Sequence, residues 1–174
     1  MLGGSIVQYT RIAATTVAVI SSVALAATLS GCASGAGSTV SVGSAKQQAI
    51  AYEQEIAAFV PAEYVISTNV TKTSRVIFPC LGKKNESYWP GSLTMSLKPG
   101  VDSDSILTAI GSHWTNKSGW SVFKVNAADG NPSLDIKSTS GYSFTVEFDQ
   151  GPALTINALS ACFSDTGLAG KASY

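Results

Sequence analysis

The chain has 174 residues, of which 45% are hydrophobic and only 13% charged, and its 11 basic side chains are matched by 11 acidic ones. Scattered charges on a near-neutral surface give no electrostatic footprint for nucleic acid and no polybasic patch for anionic lipid headgroups. The length suits one domain.

Residues 12–28 are Ala, Val, Ile, Leu, Ser and Thr throughout, and the one basic residue before them is Arg11. This reads as a signal peptide. The stretch closes on Leu29-Ser30-Gly31-Cys32, which closely resembles the lipobox of bacterial lipoproteins. The resemblance implies that Cys32 is diacylated and that cleavage over residues 1–31 exposes it as the new N-terminus. Each buried acyl methylene contributes about 0.8 kcal/mol, so the membrane would be held through the lipid on Cys32, at the extracytoplasmic face. Two alternatives stay open: an uncleaved membrane helix over 12–31, whose length approaches that of a bilayer core, and secretory cleavage without lipid. The small residues at 26–31 and the Ser/Gly/Ala run after Cys32 favour a cleavage site and a tether. Loss of Arg11 with the signal would leave acidic side chains one in excess.

With Cys32 assigned to lipid, Cys80 and Cys162 remain, and an even pair in an exported domain reads as a disulfide. The long loop it closes contributes on the order of 4 to 5 kcal/mol in the chain-entropy account. A reactive thiol or a metal pair lacks partners, because the chain has one His and no carboxylate cluster flanks either Cys.

Residues 32–44 form a flexible tether, too small and polar to bury a core. Residues 45–165 are expected to form a single domain, followed by a tail at 166–174. Ser44 and Gln47 have capping-box spacing, and Ala49, Tyr52, Ile56, Phe59 and Val60 recur at helical intervals up to Pro61. These predict a helix over 45–60 with Lys46, Gln47, Glu53 and Glu55 on its polar face. Strand material follows between Tyr64 and Phe78, then Cys80 and a polar loop from Leu81 to Tyr88. Leu93, Met95 and Leu97 alternate with Thr94, Ser96 and Lys98, predicting a half-buried strand stopped by Pro99-Gly100. Asp102 or Ser103 caps a second helix at about 103–116, with Ile106, Leu107, Ile110 and Trp114 on one face. Four strands joined by tight turns then span 120–125, 134–137, 142–148 and 154–159, implying an antiparallel meander. The fold class is therefore α+β, an antiparallel sheet with two helices packed on one face.

Cys80, Trp89-Pro90-Gly91, Trp114, Gly119, Gly141-Tyr142 and Ser160-Ala161-Cys162 occur in this order. With Val60-Pro61-Ala62, they look like a group of small actinobacterial lipoproteins across residues 45–163. The resemblance implies fold and location and brings no activity with it.

No constellation supplies catalysis. His113 lies beside Ile106 at the margin of the second helix's apolar face, without a second His or a nucleophile motif. Ser121-Val122-Phe123-Lys124 matches a bare Ser-x-x-Lys, but it falls in a strand and lacks companion motifs. Asp102 and Asp104 suit capping better than calcium, since the Gly and Glu of a calcium loop are missing. Tyr88 and Trp89 are adjacent and can stack on a ligand or anchor a partner, or Trp89 can plug the sheet edge beside the disulfide. The expectation is a non-enzymatic, lipid-anchored envelope protein, without cofactor or metal, that binds a partner protein or envelope component. The alternative is a small-molecule or glycan-binding lipoprotein, with a hydrolase third.

Overall fold

A computed structural model describes residues 40–71, 76–149 and 151–168. The expected signal peptide, Cys32 and most of the expected tether lie outside them. No helix of the described residues is long and apolar enough to cross a membrane.

Helix α1 spans Val42–Ala57. It begins earlier than the spacing of Ser44 and Gln47 predicts, because Ser41 is the N-cap and its hydroxyl accepts the Ser44 N–H at 3.1 Å. It also ends earlier. The N–H groups of Phe59 and Val60 donate to Ile56 and Ala57, a tightened last turn that Pro61 terminates. Its inward stripe is Ala45, Ala49, Glu53, Ile56 and Ala57. Glu53, expected on the polar face, instead sits in the middle of this stripe, because position 53 follows 45 and 49 at helical spacing.

After a 3-10 turn at Ala62–Tyr64 come β1 (Val65–Val70), β2 (Phe78–Pro79), β3 (Glu86–Tyr88) and β4 (Pro90–Leu97). Helix α2 (Ser103–Thr115) is capped by Asp102, whose carboxylate accepts the Ser105 N–H at 3.0 Å. The chain continues through β5 (Trp120–Asn126), β6 (Pro132–Ser138), β7 (Ser143–Phe148), β8 (Ala153–Leu159) and β9 (Phe163–Ser164). The main sheet has the order β1-β4-β8-β7-β6-β5 and is antiparallel throughout. Strands β5 to β8 form the expected meander, and β4 is inserted between its end and β1.

Cross-strand register explains the layering. Leu93, Ile156, Val146 and Leu134 form one continuous row, and Gly91, Ala158, Phe144 and Ile136 another. These side chains join Ile56 of α1 and Ile110 of α2 in one buried core. The opposite face is polar: Thr145 donates to Asp135 at 2.9 Å, and Asn157 to Glu147 at 3.4 Å. One apolar and one wet face is the expected state of an antiparallel sheet covered on one side.

The segment expected to be a polar loop between Leu81 and Tyr88 contains β3. It lies at the centre of a second sheet, β2-β3-β9. Two- and three-residue strands have no readable period, so only their pairing reveals them.

Candidate functional site

The second sheet is pinned by the disulfide between Cys80 and Cys162, whose Cα atoms are 6.3 Å apart. Cys80 directly follows β2 and Cys162 directly precedes β9, so the bridge holds the two outer strands on either side of β3. Alternation then divides the sheet by face. Ser87 pairs with Phe163, and both are buried. Phe78 pairs with Tyr88 on the other face, with stacked rings 5.8 Å apart.

That outer face adjoins a shallow depression of about 170 Å³ lined by Leu81, Tyr88, Leu159 and the disulfide. Leu81 is fully exposed, and Phe78 and Leu159 are 46% and 42% exposed. Leu81, Tyr88 and Leu159 thus border the bridge, Phe78 extends the apolar patch by stacking on Tyr88, and the Lys83–Glu86 ion pair at 2.9 Å lies nearby.

Trp89 is not part of this surface. Its side chain is fully buried; of the two placements the sequence allows, this is the one in which Trp89 plugs the sheet edge, and it shares no platform with Tyr88. Successive residues at the junction of β3 and β4 point opposite ways. The Trp89 N–H donates to the Ser160 hydroxyl, and the Ser160 N–H donates to the Trp89 carbonyl, each at 2.9 Å. The ring faces Lys46 of α1, whose Nζ lies 5.2 Å from the ring centre. It also crosses Gly91 so closely that a Cβ there would fall 2.3 Å from Cζ3 of Trp89 and 2.7 Å from Oε1 of Glu53. Only a residue without a side chain fits.

Glu53 is fully buried, and neither carboxyl oxygen has a hydrogen-bond partner. Burial pushes its pKa up to about 7. Charged helix residues are mostly solvated, and that rule of type conflicts here with a spacing from Ala45 and Ala49 that puts position 53 on the inward stripe.

His113 Nε2 meets Glu55 Oε1 at 2.9 Å, joining α2 to α1, and its ring tilts against Phe59. Lys117 donates to both oxygens of Glu55 at 2.7 and 2.8 Å and lies 4.2 Å from the centre of the Trp114 ring. Burial raises the Glu55 pKa, but the hydrogen bonds and charges of Lys117 and His113 outweigh this and leave it lowered. The geometry is that of a helix–helix clasp. Ser121 and Lys124 lie on a sheet strand with an odd spacing that puts them on opposite faces. Among the described residues, no group of three His, Cys, Asp or Glu side chains is placed to hold a metal ion.

What the fold and surface define is an α+β domain with a disulfide-pinned apolar patch. No protein-family model matches the chain, and neither a curated protein nor a solved structure matches it.

Proposed function

We propose that this is a lipid-anchored envelope protein, held at the extracytoplasmic face of the membrane through Cys32, that binds a partner protein without catalysing a reaction. The observation that carries the binding reading is the patch of Phe78, Leu81, Tyr88 and Leu159 around the disulfide, since a fully exposed Leu beside three other apolar side chains has no role in the core. An apolar centre beside an ion pair is also the usual anatomy of a protein interface. The disulfide supports the exported location. The alternative of a glycan stacked on Tyr88 and Trp89 loses half of its platform with the burial of Trp89.

Two measurements test the reading. A fatty-acid probe fed to the producing cells should label the wild type and leave Cys32→Ala unlabelled; equal labelling ends the lipid-anchor proposal. Affinity capture from native membranes should retrieve a partner with the wild-type chain and lose it with Leu81→Asp, while the melting temperature stays within about 2 °C because an exposed substitution costs little. Retention of every captured protein by Leu81→Asp rejects the patch.

A further inference from the structure

Helix α1 is fastened to the domain unequally along its length. Its C-terminal half is held by large side chains and a clasp. Tyr52 meets the rings of Trp114, Trp120, Tyr142 and Phe144 edge-on at 4.9 to 5.9 Å, Ile56 is fully buried, and Glu55 is bound by Lys117 and His113. The N-terminal half buries two residues completely, and both are alanines, Ala45 and Ala49. An alanine withdraws little apolar area from water. The first turn is also a weak helix: Val42, Gly43 and Ser44 have poor propensity, and no acidic side chain there meets the positive end of the helix dipole. Because α1 precedes Cys80, the disulfide loop does not enclose it.

Glu53 sits where the two halves meet. A helical side chain leans toward the helix N-terminus, so this carboxyl lies under the weakly held half, near Ala49, with Gly91 below it. No compensating charge is built around it. The strands on which α1 packs, β4, β8 and β9, carry no ionisable side chain. On β3, Glu86 is paired with Lys83, and Tyr88 stacks on Phe78 on the outer face. Beyond β9, Asp165 accepts the Ser87 hydroxyl at 2.6 Å. Lys46 stands over the Trp89 ring, Glu55 turns to Lys117 and His113 of the α2 side, and Tyr142 packs on Tyr52. Both Glu53 oxygens are left without a hydrogen bond, so the site accommodates the carboxyl with its proton and not the carboxylate.

We propose that the proton on Glu53 is a latch: while it is bound, the N-terminal half of α1 lies on the sheet, and its loss lifts residues 42–50 away about a hinge at Tyr52 and the Glu55 clasp, letting water reach the carboxylate. The two carboxyls respond in opposite senses. Burial raises the Glu53 pKa from 4.5 to about 7, so closure is fully favoured below the lower value and is lost as pH rises through the upper one. Over that interval the opening equilibrium constant rises about tenfold per pH unit, roughly 300-fold in all. Burial also raises the Glu55 pKa, but the hydrogen bonds and charges of Lys117 and His113 leave it lowered. The clasp is therefore lost only in acid, and the hinge holds throughout the window in which the latch opens.

A freed segment this short does not stay helical in water, and unwinding adds about 2 Å of reach per residue. With Cys32 lipidated, loss of the proton then lengthens the tether by roughly 15 to 20 Å. That consequence rests on the lipid-anchor reading, whereas the latch does not.

The test is amide hydrogen exchange of the full chain in detergent micelles at pH 5.5 and pH 8, corrected for the intrinsic rate. Protection over 45–50 should fall about 25-fold between the two, and at pH 8 it should lie at least about tenfold below that of the core strand residues 144–148. In Glu53→Gln the pH dependence over 45–50 should vanish. Glu53→Leu, neutral and apolar, gives the same result and replaces it if the amide variant does not fold. Protection over 45–50 indifferent to pH, or pH dependence retained in these variants, overturns the proposal. Equal protection over 45–50 and 144–148 at pH 8 also overturns it, by showing that the domain opens only as a whole. A Cys32 that carries no lipid changes none of these expectations, so the anchor and the latch fail separately.

Discussion

Helix α1, over β4 and β8, seals its part of the sheet: Ala45, Ala49 and Ile56 expose no surface, and the Glu53 carboxyl is shut in among them. Helix α2, over β5 and β6, leaves a groove, and the charged residue on its part of the sheet face, Lys124, remains in contact with solvent. The difference follows from what each helix presents. α1 closes with Ala45, Ala49 and Ala57, and β4 answers with Gly91, so helix and sheet approach until the Glu53 side chain exposes no surface. α2 packs through Leu107, Ile110 and Trp114 at its centre, while Gly111 at its flank gives the groove nothing to fill it. A charge on a core face is tolerated in one of two ways: the closed site suppresses ionisation, and the open site keeps it hydrated.

The largest effect expected from breaking the closed half comes from Trp89→Ala, which should cost roughly 3 to 5 kcal/mol in denaturant unfolding, because the transfer loss and the cavity left behind add. An unchanged unfolding midpoint contradicts the burial of Trp89.

Glu53 sharpens the contrast through pH. Its folded-state pKa is raised, from 4.5 to about 7, so its contribution to stability is fully present below the unfolded value and is lost as pH rises through the folded one. Between these limits unfolding free energy should fall by roughly 3 kcal/mol. Glu53→Gln should flatten that slope. Equal pH profiles for the two proteins refute a neutral Glu53 in the folded state.

Two glycines predict opposite signs. Gly91→Ala should destabilise by about 1 to 3 kcal/mol, since its methyl meets the Trp89 ring. Gly111→Ala should stabilise by about 0.5 to 1 kcal/mol, since the helix gains propensity and the methyl meets Leu134 without crowding. Melting curves of both variants decide this, and a shared sign removes the distinction between the closed and open halves.

Elements whose period is written in several consecutive residues were legible in the sequence. Leu93-Thr94-Met95-Ser96-Leu97 announces β4, and the spacing of Ile106, Leu107, Ile110 and Trp114 announces α2. The Cys80–Cys162 bridge was legible from cysteine parity. Strand order was not, because the insertion of β4 between β8 and β1 is decided by long-range pairing that no local pattern encodes. β2 and β9, at two residues each, are below the length at which alternation means anything. Glu53 shows a different failure. Its type argued for solvent and its position for the core, and packing against Gly91 and Trp89 prevailed. The patch residues were only half visible: Tyr88 stood out as an aromatic, whereas Phe78, Leu81 and Leu159 meet only through the second sheet.

The disulfide also governs how the domain answers a pull on its two ends. The bridge spans 82 residues, enclosing α2 and five of the six strands of the main sheet. Once the segments outside the bridge have been drawn off, tension along the chain passes through the two sulfurs and bypasses the residues between them. At about 3.4 Å per extended residue, roughly 280 Å of contour length is withheld. Under load α1, β1 and β2 can be drawn out on one side and β9 on the other, and once their contacts with β4, β8 and β3 have parted the meander carries no force.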